Sequence, residues 1–213
     1  MNKDKLVRTA YILAIVTIVY NVAEGLVSVL FGISDETLTL LGFGVDSFVE
    51  VLSGIGILHM IYRMKKAGIN DVPTRDKFER RALKITGTAF YILMAGLIAG
   101  SVINIVTGAK PETTIVGIII SILSILTMYI LMSWKMRIGK QLNSDAIIAD
   151  ANCTKTCFYL SFILLASSGL YELFGIAWLD IAGSLGIAWF AFSEGREAFE
   201  KSKMEKLSCH CHK

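Results

Sequence analysis

The sequence predicts an all-α membrane protein with six transmembrane helices and both termini cytoplasmic. Three observations predict it. The 213-residue chain is 54% hydrophobic and only 18% charged, whereas soluble domains carry roughly 25% charged residues. Six stretches reach the roughly 20 apolar residues needed to cross a hydrocarbon core of about 30 Å. Lys and Arg crowd into alternate connections between those stretches, which is the positive-inside pattern. The same composition argues against a soluble enzyme. A net charge of +3 is too small to mark a nucleic-acid partner. A β-barrel is excluded because no period-2 alternation separates a lipid face from a lumen face.

The spans fall near residues 7–32, 36–62, 83–107, 113–134, 144–171 and 175–194. The fifth is the least apolar, since SDAIIADANCTKTC carries two Asp and a Lys. Basic residues cluster at Lys3, Lys5 and Arg8, from Arg63 to Lys84, at Lys135, Arg137 and Lys140, and in the tail from Arg196. The opposite connections hold only Lys110. Residues 1–8 resemble a charged leader region, but the apolar stretch that follows is too long and lacks a small-residue cleavage site, so it reads as the first span. The expected organisation is a transport domain over 1–195 and a short cytoplasmic tail over 196–213, in a multi-pass protein of the plasma (inner) membrane.

Ionisable residues inside a bilayer cost at least about 2.5–3.5 kcal/mol each at a span centre and mark function by default. Here they are Glu24, Asp46, Glu50, Asp150, Lys155 and Asp180. Asp46 and Glu50 in GFGVDSFVE are four apart, so both carboxylates share one helix face. Without a partner they would repel each other and take up protons; a bound cation removes that conflict. Cys153 and Cys157 form a second pair at the same spacing, poor for a disulfide within one helix. Two thiolates and two carboxylates from two helices can make a tetrahedral metal site. At 1.5 Å per residue, Asp46 lies about 15 Å and Glu50 about 21 Å below one surface, with Cys153 about 14 Å and Cys157 about 20 Å above the other. All four then sit around the midplane, and Glu24 at a similar depth.

The accessory candidates are Glu24, Asp150 and Lys155. Glu24 reads equally as a carboxylate behind the ligands, as a proton carrier, or as a hydrogen-bonding partner of a neighbouring helix. Asp150 would pass a cation from the inner mouth or pair with Lys155. Lys155 would be a counter-ion for Glu24 or Asp150, or would lower the thiol pKa values and balance an empty acidic site. Asn21 is expected to hydrogen-bond between helices, and Asp180 to be structural or to line the outer approach. Gly96 and Gly100 form a small-xxx-small motif that permits close helix approach, read first as internal packing.

The blocks NVAEGLVSVLFG, LLGFGVDSFVEVLSG, SDAIIADANCTKTC and WLDIAGSLGIAW resemble the cation diffusion facilitator family of metal/proton antiporters. The resemblance covers roughly residues 7–195. It implies a homodimer of six-helix units in the lipid bilayer, with a transport site of two acidic residues in the second span and a His and an Asp four apart in the fifth. Asp46 and Glu50 match the first pair; Cys153 and Cys157 occupy the second. The sequence departs from the family in having Glu at position 50, Cys at both fifth-span positions, and no cytoplasmic domain of roughly eighty residues after the sixth span.

Thiolates soften a site and favour zinc and softer ions over Mg and Mn. The expected cargo is therefore Zn²⁺ first and Cd²⁺ next; the acid pair argues against Cu(I). Metal binding displaces protons from thiols, and returning protons would expel the metal, so the coupling ion is H⁺. The tail ends in Cys209, His210, Cys211 and His212, too tightly spaced for one finger site and read as a flexible chelating end. The other readings are a membrane thiol-redox protein using Cys153 and Cys157, an organic-cation exporter using Glu24, and a metal-binding membrane partner that does not transport.

Overall fold

The computed structural model describes residues 3–35, 37–67, 77–108, 114–142, 144–176 and 178–204. Six helices follow in order: α1 (Lys3–Ser34), α2 (Leu38–Ala67), α3 (Lys77–Thr107), α4 (Ile115–Leu142), α5 (Asp145–Phe174) and α6 (Trp178–Lys203). No strand occurs among the described residues. The predicted spans correspond one to one with these helices, but the helices run further. α4 passes position 134 to reach Leu142, and α6 passes position 195, the expected end of the transport domain, to reach Lys203. Charges at the ends of those spans do not break a helix, because Lys, Arg and Glu are good helix formers. The Cys209–His212 segment lies outside the described residues.

Five helices, α1 to α5, contain windows long and apolar enough to cross a membrane. α6 falls short on composition because Asp180, Gly183, Ser184 and two Trp dilute its apolar content. Large apolar side chains nevertheless point outward along it, at Trp178, Leu185, Trp189 and Phe192. The same inversion holds across the bundle. Val19, Leu30, Ile92, Val106, Leu126 and Leu173 are exposed, while Asn21, Ser28, Asp46, Ser124, Ser161 and Ser184 are buried. Apolar outside and polar inside is the pattern of a chain dissolved in lipid, where backbone groups are satisfied by helices and polar side chains turn to one another. The chain is an integral, multi-pass membrane protein.

Three helix pairs pack most intimately: α1 with α2, α3 with α6, and α4 with α5. The first pair depends on small residues. A Cβ on Gly32 would lie 2.6 Å from the Leu41 nitrogen, and one on Gly44 would lie 2.8 Å from both Ser28 Cβ and the Val29 nitrogen. In the second pair, Gly87 and Gly195 let α3 and α6 cross, with Phe199 and Tyr91 filling the remaining space. Gly100 of the small-xxx-small motif packs against Leu38 of α2, whereas a Cβ on Gly96 would meet nothing within 4 Å. α5 stops at Gly175, whose φ of 65° is left-handed and whose N–H donates to the Tyr171 carbonyl at 2.7 Å; a glycine takes that conformation without strain.

The ends of the helices are tied by side chains. Asp180, at the start of α6, accepts hydrogen bonds from the Leu38 and Thr39 backbone N–H groups, each 3.0 Å. Those are orphan donors of the first turn of α2, so a residue far away in sequence caps that helix. Thr39 Oγ1 donates to the Asp180 carbonyl at 2.7 Å and lies 3.2 Å from Ser167 Oγ of α5. Asp180, expected to be structural or to line the outer approach, is a structural clamp. Glu172 does the same service for α4, accepting from the Thr114 N–H at 3.2 Å and its hydroxyl at 2.9 Å.

Candidate functional site

The middle of the bundle holds a polar layer built by α1, α2, α4 and α5. On α1, Asn21, Glu24 and Ser28 lie at i, i+3 and i+7 and are all buried, one helix face turned inward. On α2, Asp46 and Ser47 are buried and Glu50 is half-buried. The glycines of the α1–α2 contact set the distance between these faces. A Cβ on Gly25 would lie 3.1 Å from the Gly44 carbonyl and from Phe48, so only a bare backbone lets Glu24, beside it, reach across to α2.

Glu24 accepts hydrogen bonds from Tyr20 Oη at 2.9 Å and from Ser47 Oγ of α2 at 3.1 Å. Ser124 of α4 is a further hydroxyl neighbour of its carboxylate. Ser161 Oγ of α5 lies 2.8 Å from Ser124 Oγ and 2.8 Å from the Cys157 carbonyl, and its one proton goes to either. Glu24 therefore sits in a chain of hydroxyls that runs from α1 to α5. Asn21 Nδ2 donates to Glu50 Oε2 at 3.2 Å, an interhelical bond of the type expected of Asn21. Its Oδ1 is buried with no hydrogen-bond partner.

Sulfur and carboxylate meet between α5 and α2. Cys157 Sγ lies 4.0 Å from Asp46 Oδ2, and both residues are only 2% exposed. Glu50 is a second acidic neighbour of the Cys157 thiol, and the charge of Glu24 also reaches it. Cys153 is half-buried one turn along α5, and both cysteines are free thiols. The charge of Glu50 reaches Cys153. Of the four residues singled out as ligands, the structure brings Asp46 and Cys157 into contact, with Glu50 near the thiol and Cys153 one turn along α5. Among the described residues, no three or more His, Cys, Asp or Glu side chains are close enough together to hold a metal ion as they stand.

Two accessory expectations are corrected. Asp150 does not pair with Lys155. It pairs with Lys135 of α4, whose Nζ lies 2.9 Å from Asp150 Oδ1 and 3.1 Å from Thr154 Oγ1. Lys155 is exposed, with its ammonium 5.6 Å from the centroid of the Tyr159 ring, and so is not a counter-ion of Glu24 or Asp150. The reason is angular. Asp150, Cys153, Thr154 and Cys157 form an i, i+3, i+4, i+7 stripe that faces inward, and position 155 lies well off it.

Besides the hydroxyls around Glu24, sequence reasoning missed two charged residues, Lys135 and Glu194. Lys135 reads as part of a polar connection, yet Met128, Leu131, Lys135, Ile138 and Leu142 are all buried. That helical period continues through the charged run, and it was the available signal. Glu194 lies near the end of the predicted sixth span. It accepts a hydrogen bond from Thr156 Oγ1 of α5 at 3.0 Å, and its charge reaches Asp46, Glu50 and Cys153. No sequence signal separated it from the other acids of that region.

No family model matches the chain. Over 184 residues, 84% of its length, the chain is 27% identical to a Methanocaldococcus jannaschii protein named Uncharacterized transporter MJ0449. It spans 64% of the length of that relative. The similarity connects this helical membrane protein to one named as a transporter.

Proposed function

We propose that the chain is a secondary transporter, not an enzyme, that exports a divalent soft or borderline metal ion from the cytoplasm in exchange for protons. Zn²⁺ is the first choice and Cd²⁺ the next. The reading is of the cation diffusion facilitator type, with six spans, both termini cytoplasmic, and Asp46, Glu50, Cys153 and Cys157 as the ligand set. The observation that carries it is the buried contact of Cys157 Sγ with Asp46 Oδ2 at 4.0 Å between two different helices. Support for the sixth span comes from the outward apolar stripe of α6, and support for sidedness from the alternating Lys and Arg clusters. The relative named as a transporter supports the class of activity.

Ligand geometry tests the reading. Zn–S is about 2.3 Å and Zn–O about 2.0–2.2 Å, so a tetrahedral angle places the two ligand atoms about 3.5 Å apart. The observed 4.0 Å would close by about 0.5 Å around an ion, with Glu50 and Cys153 drawn in as the remaining donors. The acidic residues and thiols then supply the exchange. A divalent ion replaces protons on the ligands, and protons arriving from the other side replace the ion. Glu24, with its hydroxyl chain, would carry protons between the ligands and α4.

The test is metal uptake into inside-out vesicles or proteoliposomes with an imposed pH gradient. Asp46→Asn and Cys157→Ser keep the shape of each side chain and remove its ligand character. Each is expected to cut Zn²⁺ and Cd²⁺ transport by more than about tenfold, the lower end of the loss seen even for outer-shell partners. Inserted, folded protein that transports normally in both variants would refute the site.

A further inference from the structure

The buried ion pair between α4 and α5 has no place in the ligand set, and its burial asks for an explanation. Among the described residues, Lys135 is the single buried Lys or Arg, at 1% exposure, and its partner Asp150 is 5% exposed. Two ammonium protons are committed, to Asp150 Oδ1 at 2.9 Å and Thr154 Oγ1 at 3.1 Å. Burying such a pair does little for stability compared with apolar residues of the same size, so packing alone does not account for it.

Its position does. Asp150 shares the inward stripe of α5 with Cys153 and Cys157. Seven residues separate Asp150 from Cys157, about 10 Å along the helix. The other lysines nearby are less buried. Lys155 is exposed over Tyr159, and Lys201 Nζ is 2.7 Å from Glu197 Oε1. The charge of Lys201 still reaches Cys153 and Glu194; the charge of Lys135, the buried one of the three, reaches Glu50. Asp46 meets Cys157 across the α2–α5 contact, and the charge of Glu194 reaches both Asp46 and Glu50; Lys135 cancels the further negative charge that Asp150 would add to them.

We propose that Lys135 is a tethered counter-cation of the ion path. It occupies Asp150, the carboxylate next along the stripe from the thiols, and it sets how much net negative charge the site offers to a divalent ion. The inference rests on the metal-transport reading above and adds to it a residue that touches no cargo yet tunes cargo binding. A cation moving along the α5 stripe meets an ammonium already seated on Asp150 and must compete with it.

The experiment is isothermal titration of the purified full chain with Cd²⁺ alone. Lys135→Met removes one positive charge and is expected to tighten binding. A unit charge about 10 Å from a divalent ion changes affinity about fourfold even at the dielectric constant of water, so the gain is expected to be at least that. Asp150→Asn leaves the ammonium unpaired and is expected to weaken binding by a similar factor. The double variant, neutral overall, returns close to the wild-type affinity. Lys135→Arg, which preserves the charge, does not tighten it. A purely structural pair gives losses or no change in both single variants, and either result overturns the proposal. If Lys135→Met does not fold, the double variant decides the matter: an affinity shifted more than about fourfold from wild type, in either direction, overturns the charge account. Wild-type protein that binds no Cd²⁺ removes the metal-transport reading itself, and the inference with it. Wild-type binding with unaltered variants removes the inference alone.

Discussion

Asp180→Ala is the substitution whose cost can be worked most directly from the structure. The Asp180 carboxylate accepts from two backbone N–H groups, Leu38 and Thr39, each at 3.0 Å. Both donors belong to the first turn of α2, and Asp180 is 1% exposed. Alanine leaves the buried Thr39 N–H and the part-buried Leu38 N–H without their acceptor. Hydrogen bonds to a charged group contribute about 1.5–3 kcal/mol each, and loss of a helix cap costs about 0.5–2 kcal/mol. The two estimates overlap because they describe the same bonds, so the total is about 3–5 kcal/mol. Thr39 Oγ1 still reaches the Asp180 carbonyl, which holds the loss at that level. For a chain of this size, about 2–4 °C of melting temperature accompanies each kcal/mol, giving a drop of about 6–20 °C. Asp180→Asn retains one acceptor oxygen and is expected to lose about half as much. The assay is thermal unfolding of detergent-purified protein followed by tryptophan fluorescence. A shift below about 2 °C for Asp180→Ala would refute the clamp and, with it, the claim that α6 fixes the start of α2.

Other expectations follow from the same contacts. Replacing Cys153 by His and Cys157 by Asp together hardens the ligand set and is expected to move transport preference from Cd²⁺ toward Zn²⁺; an unchanged ratio in a competition uptake assay contradicts the softness argument. Gly44→Ala places a methyl group 2.8 Å from Ser28 Cβ and the Val29 nitrogen, and overpacking of this kind costs about 1–3 kcal/mol. It should lower the melting temperature by several degrees and reduce metal uptake by parting Glu24 from Ser47, whereas Gly96→Ala, which meets nothing, should leave the melting temperature unchanged or slightly raised.

Much of the helix layout was legible because lipid demands long apolar runs, and those runs are visible without any partner. The end of α4 was not, because Lys135 looks like interfacial charge until the Met128–Leu142 period is followed through it. Depth along a helix was also legible to within about a turn: counting residues put all four candidate ligands around the midplane, and the side chains of Asp46 and Cys157 lie 4.0 Å apart. Azimuth was legible only within one helix. The stripe of Asp150, Cys153 and Cys157 could be drawn from the sequence, but which helix would face it could not. That is why Lys155, adjacent in sequence, was paired with Asp150 in place of Lys135, which is distant in sequence and near in space. Asp180 carries the same lesson, since its partners are backbone groups of α2 and no side-chain pattern announces them.

α2 is tied to other helices near both ends, and the ties bear on how an ion could move through the bundle; toward its end Arg63 pairs with Glu79 of α3 at 2.8 Å. At its start, Thr39 is fastened to α6 through Asp180 and to α5 through Ser167. Asp46 lies seven residues further, about 10 Å along the axis. Closing the Asp46–Cys157 gap by about 0.5 Å to reach zinc geometry needs a tilt of α2 of only about 3° about the fastened end. Carried along the roughly 42 Å from Thr39 to Ala67, that tilt displaces the far end of α2 by about 2 Å. Such a tilt would be smallest where Asp180 clamps the helices and, toward the far end, would carry the Arg63–Glu79 contact with α3 along with it. Packed interfaces amplify small displacements of this kind into alternative arrangements. Loading the ligands and rearranging the mouth of the path would then be one motion, with the Asp180 clamp as its pivot. Loosening that clamp should weaken the coupling between them before it abolishes binding.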